Sequence, residues 1–307
     1  MKKIINLVLI FALFQTTSCQ NKKEKIMTST INRGQDYTID ESKPKRGYFL
    51  QINSQNCHYK ILVNDLLSTA YTDPFPAYSV RNNLNYKISK SGEQKLSIIV
   101  TPFQGEKLTR NADVTIRLMR YADMTDKENE YGGATTLLEW EMPQIDENAN
   151  LPIFRFDTVF KAEVPYEINT INYATDLTKM DKDVLLKEVV NQFETLHNYI
   201  KNDYDKFNSL AKEKIKSSSI PTYQTDQAIM EVLLDNKKEF EDPENKKLLQ
   251  PLESYKMVLY GYGHIATLER LKDNGRVIWC KDSDGDEVLS LPLFIYKDTR
   301  DNQWHIW

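Results

Sequence analysis

The sequence is poor in the residues that dominate irregular or fibrous chains, with 10 Gly and 11 Pro in 307 residues. So small a share excludes collagen-like, Gly/Ser-rich and Pro-rich low-complexity architectures. Cysteine is scarcer still: Cys19, Cys57 and Cys280 are too few for a disulfide scaffold. The four histidines are His58, His197, His264 and His305. No two sit at metal-ligand spacing, and neither HExxH nor CxxC occurs, so no motif asks for a metal or other cofactor. Positive charge is not in excess, because 40 Lys and Arg face 44 Asp and Glu for a net charge of −4. A nucleic-acid binder needs a basic face to displace phosphate counterions, so the mild acidity argues against that class. A mean hydropathy of −0.56 excludes a polytopic membrane protein. Apolar residues still make up 40% of the chain, enough to build a core.

The amino terminus carries the most specific pattern. Lys2 and Lys3 precede an apolar run, Ile4 to Phe14, interrupted only by Asn6, and Gln15-Thr16-Thr17-Ser18-Cys19 follow. The run is too short for a stable membrane span, which takes about 20 helical residues. A cationic start, a short apolar body and small residues before the break are the three parts of a secretory signal peptide. These residues resemble a bacterial lipoprotein signal of the signal peptidase II type, over residues 1–19, with Thr16 where that family usually has Leu. The resemblance implies that Cys19 is the first mature residue, acylated on its sulfur and its amine, and that the chain is held at a bilayer of the cell envelope. Two or three acyl chains, at about 0.8 kcal/mol per buried methylene, anchor a protein far more firmly than one. Loss of residues 1–18 removes two lysines and no acid, leaving the mature chain at −6. Attraction to anionic lipid is therefore left to the anchor. Cys57 and Cys280 are read as buried or half-buried thiols, although the envelope permits a bridge.

Residues 19–45 are polar and mixed in charge. They read as the lipidated cysteine and a flexible spacer. From Tyr48 the pattern has period two, as in Leu50 and Ile52, then Tyr59, Ile61 and Val63, then Leu96, Ile98 and Val100. Val114, Ile116 and Leu118, then Leu138, Trp140 and Met142, then Phe154, Phe156 and Phe160 repeat it. Short half-buried strands with turns between them predict an all-β antiparallel sandwich over residues 46–165, immunoglobulin-like or jelly-roll.

After Pro165 the period becomes helical, and an α+β domain is expected over 166–307, giving two domains. Leu186, Val189, Phe193, Leu196, Ile200, Tyr204, Phe207 and Leu210 predict one long helix from Asp181 to Lys216, ended by Ser217-Ser218-Ser219-Ile220-Pro221. Shorter helices are expected over Thr225–Lys238 and Asn245–Tyr255. One long strand, bent at Gly261 and Gly263, is expected from Met257 to Leu268, with turns at Asp273-Asn274-Gly275, Asp284-Gly285 and Asp298–Asn302. A long helix on an antiparallel meander is an α+β layer. Its order resembles the NTF2-like fold over residues 257–307.

No residue pattern identifies a catalytic site. Asp282 to Glu287 lacks the spacing of an EF-hand loop and reads as a solvated hairpin turn. Gly261-Tyr262-Gly263-His264 lacks the Lys of a phosphate loop and reads as a close backbone approach. The segment Tyr71 to Tyr78 gives the best recognition candidates, Tyr71, Phe75 and Tyr78. As a loop these rings stack on sugar or grip a protein; otherwise they cap the core, the reading we favour. The sequence is therefore read as a non-catalytic envelope lipoprotein that binds an envelope protein or an incoming toxin. A carbohydrate binder, or an enzyme or carrier with a pocket in the C-terminal domain, is the alternative.

Overall fold

The computed structural model describes residues 36–307 apart from Pro74. The chain is mostly antiparallel sheet, with helices gathered in one stretch. β1 (Tyr37–Ile39) precedes eight strands: β2 (Gly47–Gln55), β3 (Cys57–Val63), β4 (Leu66–Tyr71), β5 (Ala77–Asn83), β6 (Gly92–Pro102), β7 (Asp113–Tyr121), β8 (Ala134–Glu141) and β9 (Phe154–Ala162). They form two four-stranded sheets, ordered β5-β2-β7-β8 and β4-β3-β6-β9, with every pairing antiparallel. The period-two residues Leu50, Ile52, Tyr59, Ile61, Val63, Leu96, Ile98, Val100, Val114, Ile116 and Leu118 are all buried in one apolar cluster shared by both sheets. β4 and β5 carry no such period and were not expected from the sequence. Each lies at one of the two edges of its sheet, where one flank is unpaired and polar residues are tolerated.

β10 (Tyr166–Ile168) pairs with β1, so residues 36–45 are part of the fold rather than spacer. Most of their side chains are polar, but backbone pairing and one buried ion pair hold them. Asp36 accepts from Arg300 Nη1 at 2.6 Å and Nη2 at 3.0 Å, and Arg300 also binds Asp298. The expected signal peptide and lipidated Cys19 lie outside the described residues.

The helices are α1 (Lys182–Asn202), α2 (Tyr204–Thr222), α3 (Asp226–Glu241) and α4 (Pro243–Leu248). Asp181 caps α1 by accepting from the Asp183 and Val184 N–H groups. The single helix expected from Asp181 to Lys216 is in fact two. Asp203, at φ −154 and ψ 71, leaves helical geometry, donates its N–H to Tyr199 and caps α2 through its carboxylate and Lys206 N–H. The break preserves the apolar stripe on either side, so periodicity alone does not reveal it. The serine run expected as a stop lies inside α2. Ser218 Oγ donates to the Lys214 carbonyl at 2.9 Å, an intrahelical bond that lets serine stay helical. The helix ends at Tyr223, in the left-handed region at φ +57. α4 is shorter than the helix expected to reach Tyr255.

The remaining strands are β11 (Tyr255–Tyr260), β12 (Ile265–Arg270), β13 (Ile278–Lys281), β14 (Glu287–Leu291), β15 (Ile295–Lys297) and β16 (Trp304–Ile306). β11-β12-β15-β16 form one sheet, and β13-β14 a separate hairpin. The long bent strand expected from Met257 to Leu268 is a hairpin, because the chain reverses fully at Gly261 (φ +60), Tyr262 (φ +57) and Gly263 (φ +90). A second apolar cluster joins the helices to β12, β13, β15 and β16. A third joins Leu62 and Leu66 of the two-sheet part to Tyr260, Ile265 and Tyr296 of the C-terminal sheet. Cys57 lies in the first cluster and Cys280 in the second, both as free thiols pushed by burial up to about 11, so no bridge links them.

A Cβ on Gly263 would meet Thr178 Cγ2 at 2.3 Å, whereas one on Gly105, at φ +75, meets nothing within 4 Å. Both glycines resist substitution through backbone strain, but only Gly263 adds a collision. Urea unfolding should show Gly263→Ala less stable than Gly105→Ala by about 2 kcal/mol; equal losses would contradict the packing of the β11–β12 turn.

Candidate ligand cleft

The sequence-derived recognition residues do not form one exposed loop. Tyr71 ends β4 and is buried; its hydroxyl donates to the Phe75 carbonyl at 2.7 Å. Its ring stacks on Tyr78 with centroids 4.4 Å apart and planes 5° from parallel. Tyr78 lies within β5 and is 40% exposed, while Phe75, between the strands, is 64% exposed. Tyr71 therefore serves packing, and Phe75 and Tyr78 remain accessible. The histidines are dispersed over separate contacts. His197 meets the Gln250 carbonyl at 2.8 Å, His264 the Ala174 carbonyl at 2.8 Å, His58 the Asp73 carbonyl at 3.1 Å and His305 the Asp301 carboxylate at 2.9 Å. In the acidic turn, Asp282 accepts from the backbone N–H groups of Asp284 and Asp286, as a hairpin turn requires. Among the described residues no three His, Cys, Asp or Glu groups are placed to hold a metal ion.

A cleft of about 490 Å³ lies elsewhere, between the β4–β5 edge and the C-terminal strands. Ser68, Thr69, Asp73, Asn82 and Lys87 line it from the two-sheet part. Thr267, Glu269, Arg270, Arg276, Glu287 and Phe294 line it from the C-terminal part. Asp73 belongs to the aromatic segment singled out in the sequence, but its rings do not line this space.

Two carboxylates of the cleft are already committed. Glu269, buried on β12, receives both Lys60 Nζ bonds at 3.0 and 2.8 Å and the Tyr260 hydroxyl at 2.7 Å. The carboxylate next to Tyr260 joins burial in holding that phenol far above its ordinary value. Arg270 clasps Asp273 at 2.9 and 3.0 Å, donates to Glu287 at 2.7 Å, and lies 4.0 Å above the Trp279 ring. Asp73 is exposed. The cations are less evenly matched. Arg276 donates to the Ser290 hydroxyl at 3.0 Å, and burial pulls its pKa down. Lys87 ends the 3-10 turn Asn85–Lys87, which packs against α2. Among the described residues its ammonium has no hydrogen-bond or ion-pair partner, only the Phe294 ring at 5.8 Å. Burial pulls it down to about 8. Nearby Lys214 on α2, whose ammonium donates to the Trp307 carbonyl, is pulled down to about 7 by burial and then by the charge of Lys87.

No protein family, curated protein or solved structure matches this chain. The site therefore stands on its geometry. One signal for it was visible in the sequence: Glu269 is an acid closing the otherwise uncharged run Ile265 to Leu268. Lys87 gave none, because a lysine in an irregular turn looks like any surface lysine.

Replacing Lys60 with Met leaves the buried Glu269 charge without its cation. Urea unfolding at pH 7 should show a loss of about 3 kcal/mol, and a smaller loss when Glu269 is also made Met. Lys87 sets a pH dependence of the opposite kind to a salt bridge. Below about 8 both folded and unfolded states hold its proton and the fold bears the full burial cost. Between there and the ordinary 10.5 the folded state releases the proton first, so stability rises with pH. Lys87→Met should therefore have a higher urea midpoint than wild type at pH 7, with the gap narrowed by pH 9.5; a gap independent of pH would refute the burial of this ammonium.

Proposed function

We propose that the chain is a lipid-anchored binding protein of the cell envelope that holds its ligand in the cleft without transforming it. The address rests on the residues of the amino terminus, with Cys19 as the acylated first mature residue. The observation that carries the binding reading is the state of the cleft's carboxylates. A general base has to be free to take a proton from its substrate, whereas two of the three carboxylates lining the cleft, Glu269 and Glu287, are spent on Lys60, Tyr260 and Arg270, and the third, Asp73, is exposed to solvent. In this reading residues 46–165 are an immunoglobulin-like or jelly-roll sandwich. Residues 166–307 are an α+β domain, with an NTF2-like arrangement over 257–307, and the ligand lies between the two.

A second reading, a carbohydrate-binding lipoprotein, is favoured by one observation. Tyr78 is backed on one side by the parallel ring of Tyr71 and is accessible elsewhere, beside the exposed Phe75. A rigid aromatic face of this kind is what a sugar ring stacks on. Calorimetry against a glycan panel, with Phe75→Ala and Tyr78→Ala as controls, separates this reading from the first.

The anchor is tested by fractionating cells that express the intact chain or Cys19→Ala. The wild type should sediment with membranes and resist a high-salt wash, and the variant should move to the soluble fraction. A variant that still sediments after the wash would sink the lipid assignment. Pull-down from the same membranes reports whether an envelope protein or an incoming toxin accompanies the anchored chain.

A further inference from the structure

We propose that the cleft is a site for a small oxyanion, a carboxylate or phosphoryl group, with Lys87 as its counter-ion. The charge arrangement is the argument. Of the cations lining the cleft, Arg270 is matched by Asp273 and Glu287, and the lining Glu269 is itself taken by Lys60. Lys87 is matched by nothing among the described residues, yet it sits half-buried where water cannot fully solvate it. A sequestered cation without a partner is costly, and folds normally pair it or leave it in solvent. Lys214 on α2 lies near enough for the charge of Lys87 to act on it. Arg276 also lines the cleft, where it donates to the Ser290 hydroxyl and feels the charge of the Glu287 carboxylate. The unpaired acid of the cleft, Asp73, is exposed to solvent and does not offset them. The face of the Phe294 ring beneath the ammonium is a weak substitute for an anion at 5.8 Å. An oxyanion entering the cleft would supply the missing charge and hold the amine in its protonated form. A lysine ammonium, as a compact point charge, accepts planar carboxylates and tetrahedral phosphates alike. The volume of about 490 Å³ suits a small molecule rather than a polymer.

This inference rests on the cleft being the ligand site, and the experiment separates the two claims. The intact chain is acetylated with trace acetic anhydride near pH 8 and mapped by peptide mass spectrometry, with exposed Lys95 and Lys246 as internal references. Inorganic phosphate and citrate are the probes, compared with chloride at equal ionic strength. A saturating probe should slow Lys87 acetylation by about tenfold, leave the reference lysines unchanged, and raise the melting temperature. Protection by phosphate alone assigns a phosphoryl ligand, and protection by citrate alone a carboxylate. Lys87→Met, checked for wild-type circular dichroism, should lose the melting response. If neither probe protects a Lys87 that acetylates readily, or if the melting response persists in Lys87→Met, the oxyanion is overturned while the cleft stands. If Lys87 acetylates only after the chain is unfolded in urea, the cleft as a ligand site falls with it.

Discussion

The contact on which the arrangement of this protein turns is the one between Lys60 of β3 and Glu269 of β12, with Tyr260 completing the carboxylate's shell. It joins residues 209 positions apart in the chain, one from each side of the cleft. A buried pair of this sort adds little net stability over a hydrophobic one, but it penalises any packing that leaves either charge alone. It therefore selects one seating of the C-terminal sheet against the two-sheet part. The apolar contacts around it supply the adhesion: Leu62, Leu66, Tyr260, Ile265 and Tyr296 form a cluster to which both sides contribute. The Asp65 carboxylate accepts from Tyr262 N–H at 2.7 Å, which docks the β11–β12 turn on the β3–β4 turn. At the far end of the chain Arg300 binds Asp36 and Asp298 together and covers the Tyr173 ring at 3.9 Å.

That seating creates the cleft. Because β4 and β5 are edge strands, their polar residues are left facing the ends of β12 and β14 across a gap that apolar packing does not fill. The same geometry commits Arg270 and Glu269 and leaves Lys87 without an ion-pair partner among the described residues. A body expected to carry net negative charge after processing thus holds a half-buried ammonium in its cleft, and net charge alone says nothing of it. The potential of a cleft is set by the few groups that low-dielectric walls shield from solvent, not by the sum over the surface.

Some of this was legible from the sequence and some was not, for identifiable reasons. Strands with one buried face announce themselves by alternation, so β2, β3, β6, β7, β8 and β9 could be placed from Leu50 to Phe160. The N-cap at Asp181 and the turns at Asp273–Gly275 and Asp282–Asp286 were likewise carried by local chemistry. Edge strands β4 and β5 bury too little to show a period. The helix break at Asp203 lay within a continuous stripe, where aspartate is as common on a solvent face as at a cap. The chain reversal at Gly261–Gly263 looked like a bend because glycine permits either, and only the neighbouring strand register settled it.

By itself, the sequence determined the local matters: the character of each segment, the lack of any excess of positive charge, the scarcity of cysteine and the lipoprotein-like pattern that ends at Cys19. These depend on residues near one another in the chain, where spacing is a direct measure of geometry. Tertiary structure alone decided that Cys57 and Cys280 stay apart, that Tyr71 is buried while Phe75 is not, that residues 36–45 join the fold, and that Lys87 lines a cleft. Each of these depends on pairs of residues brought together from distant positions, and whether a lysine is solvated, paired or stranded is a property of its surroundings rather than of its place in the chain.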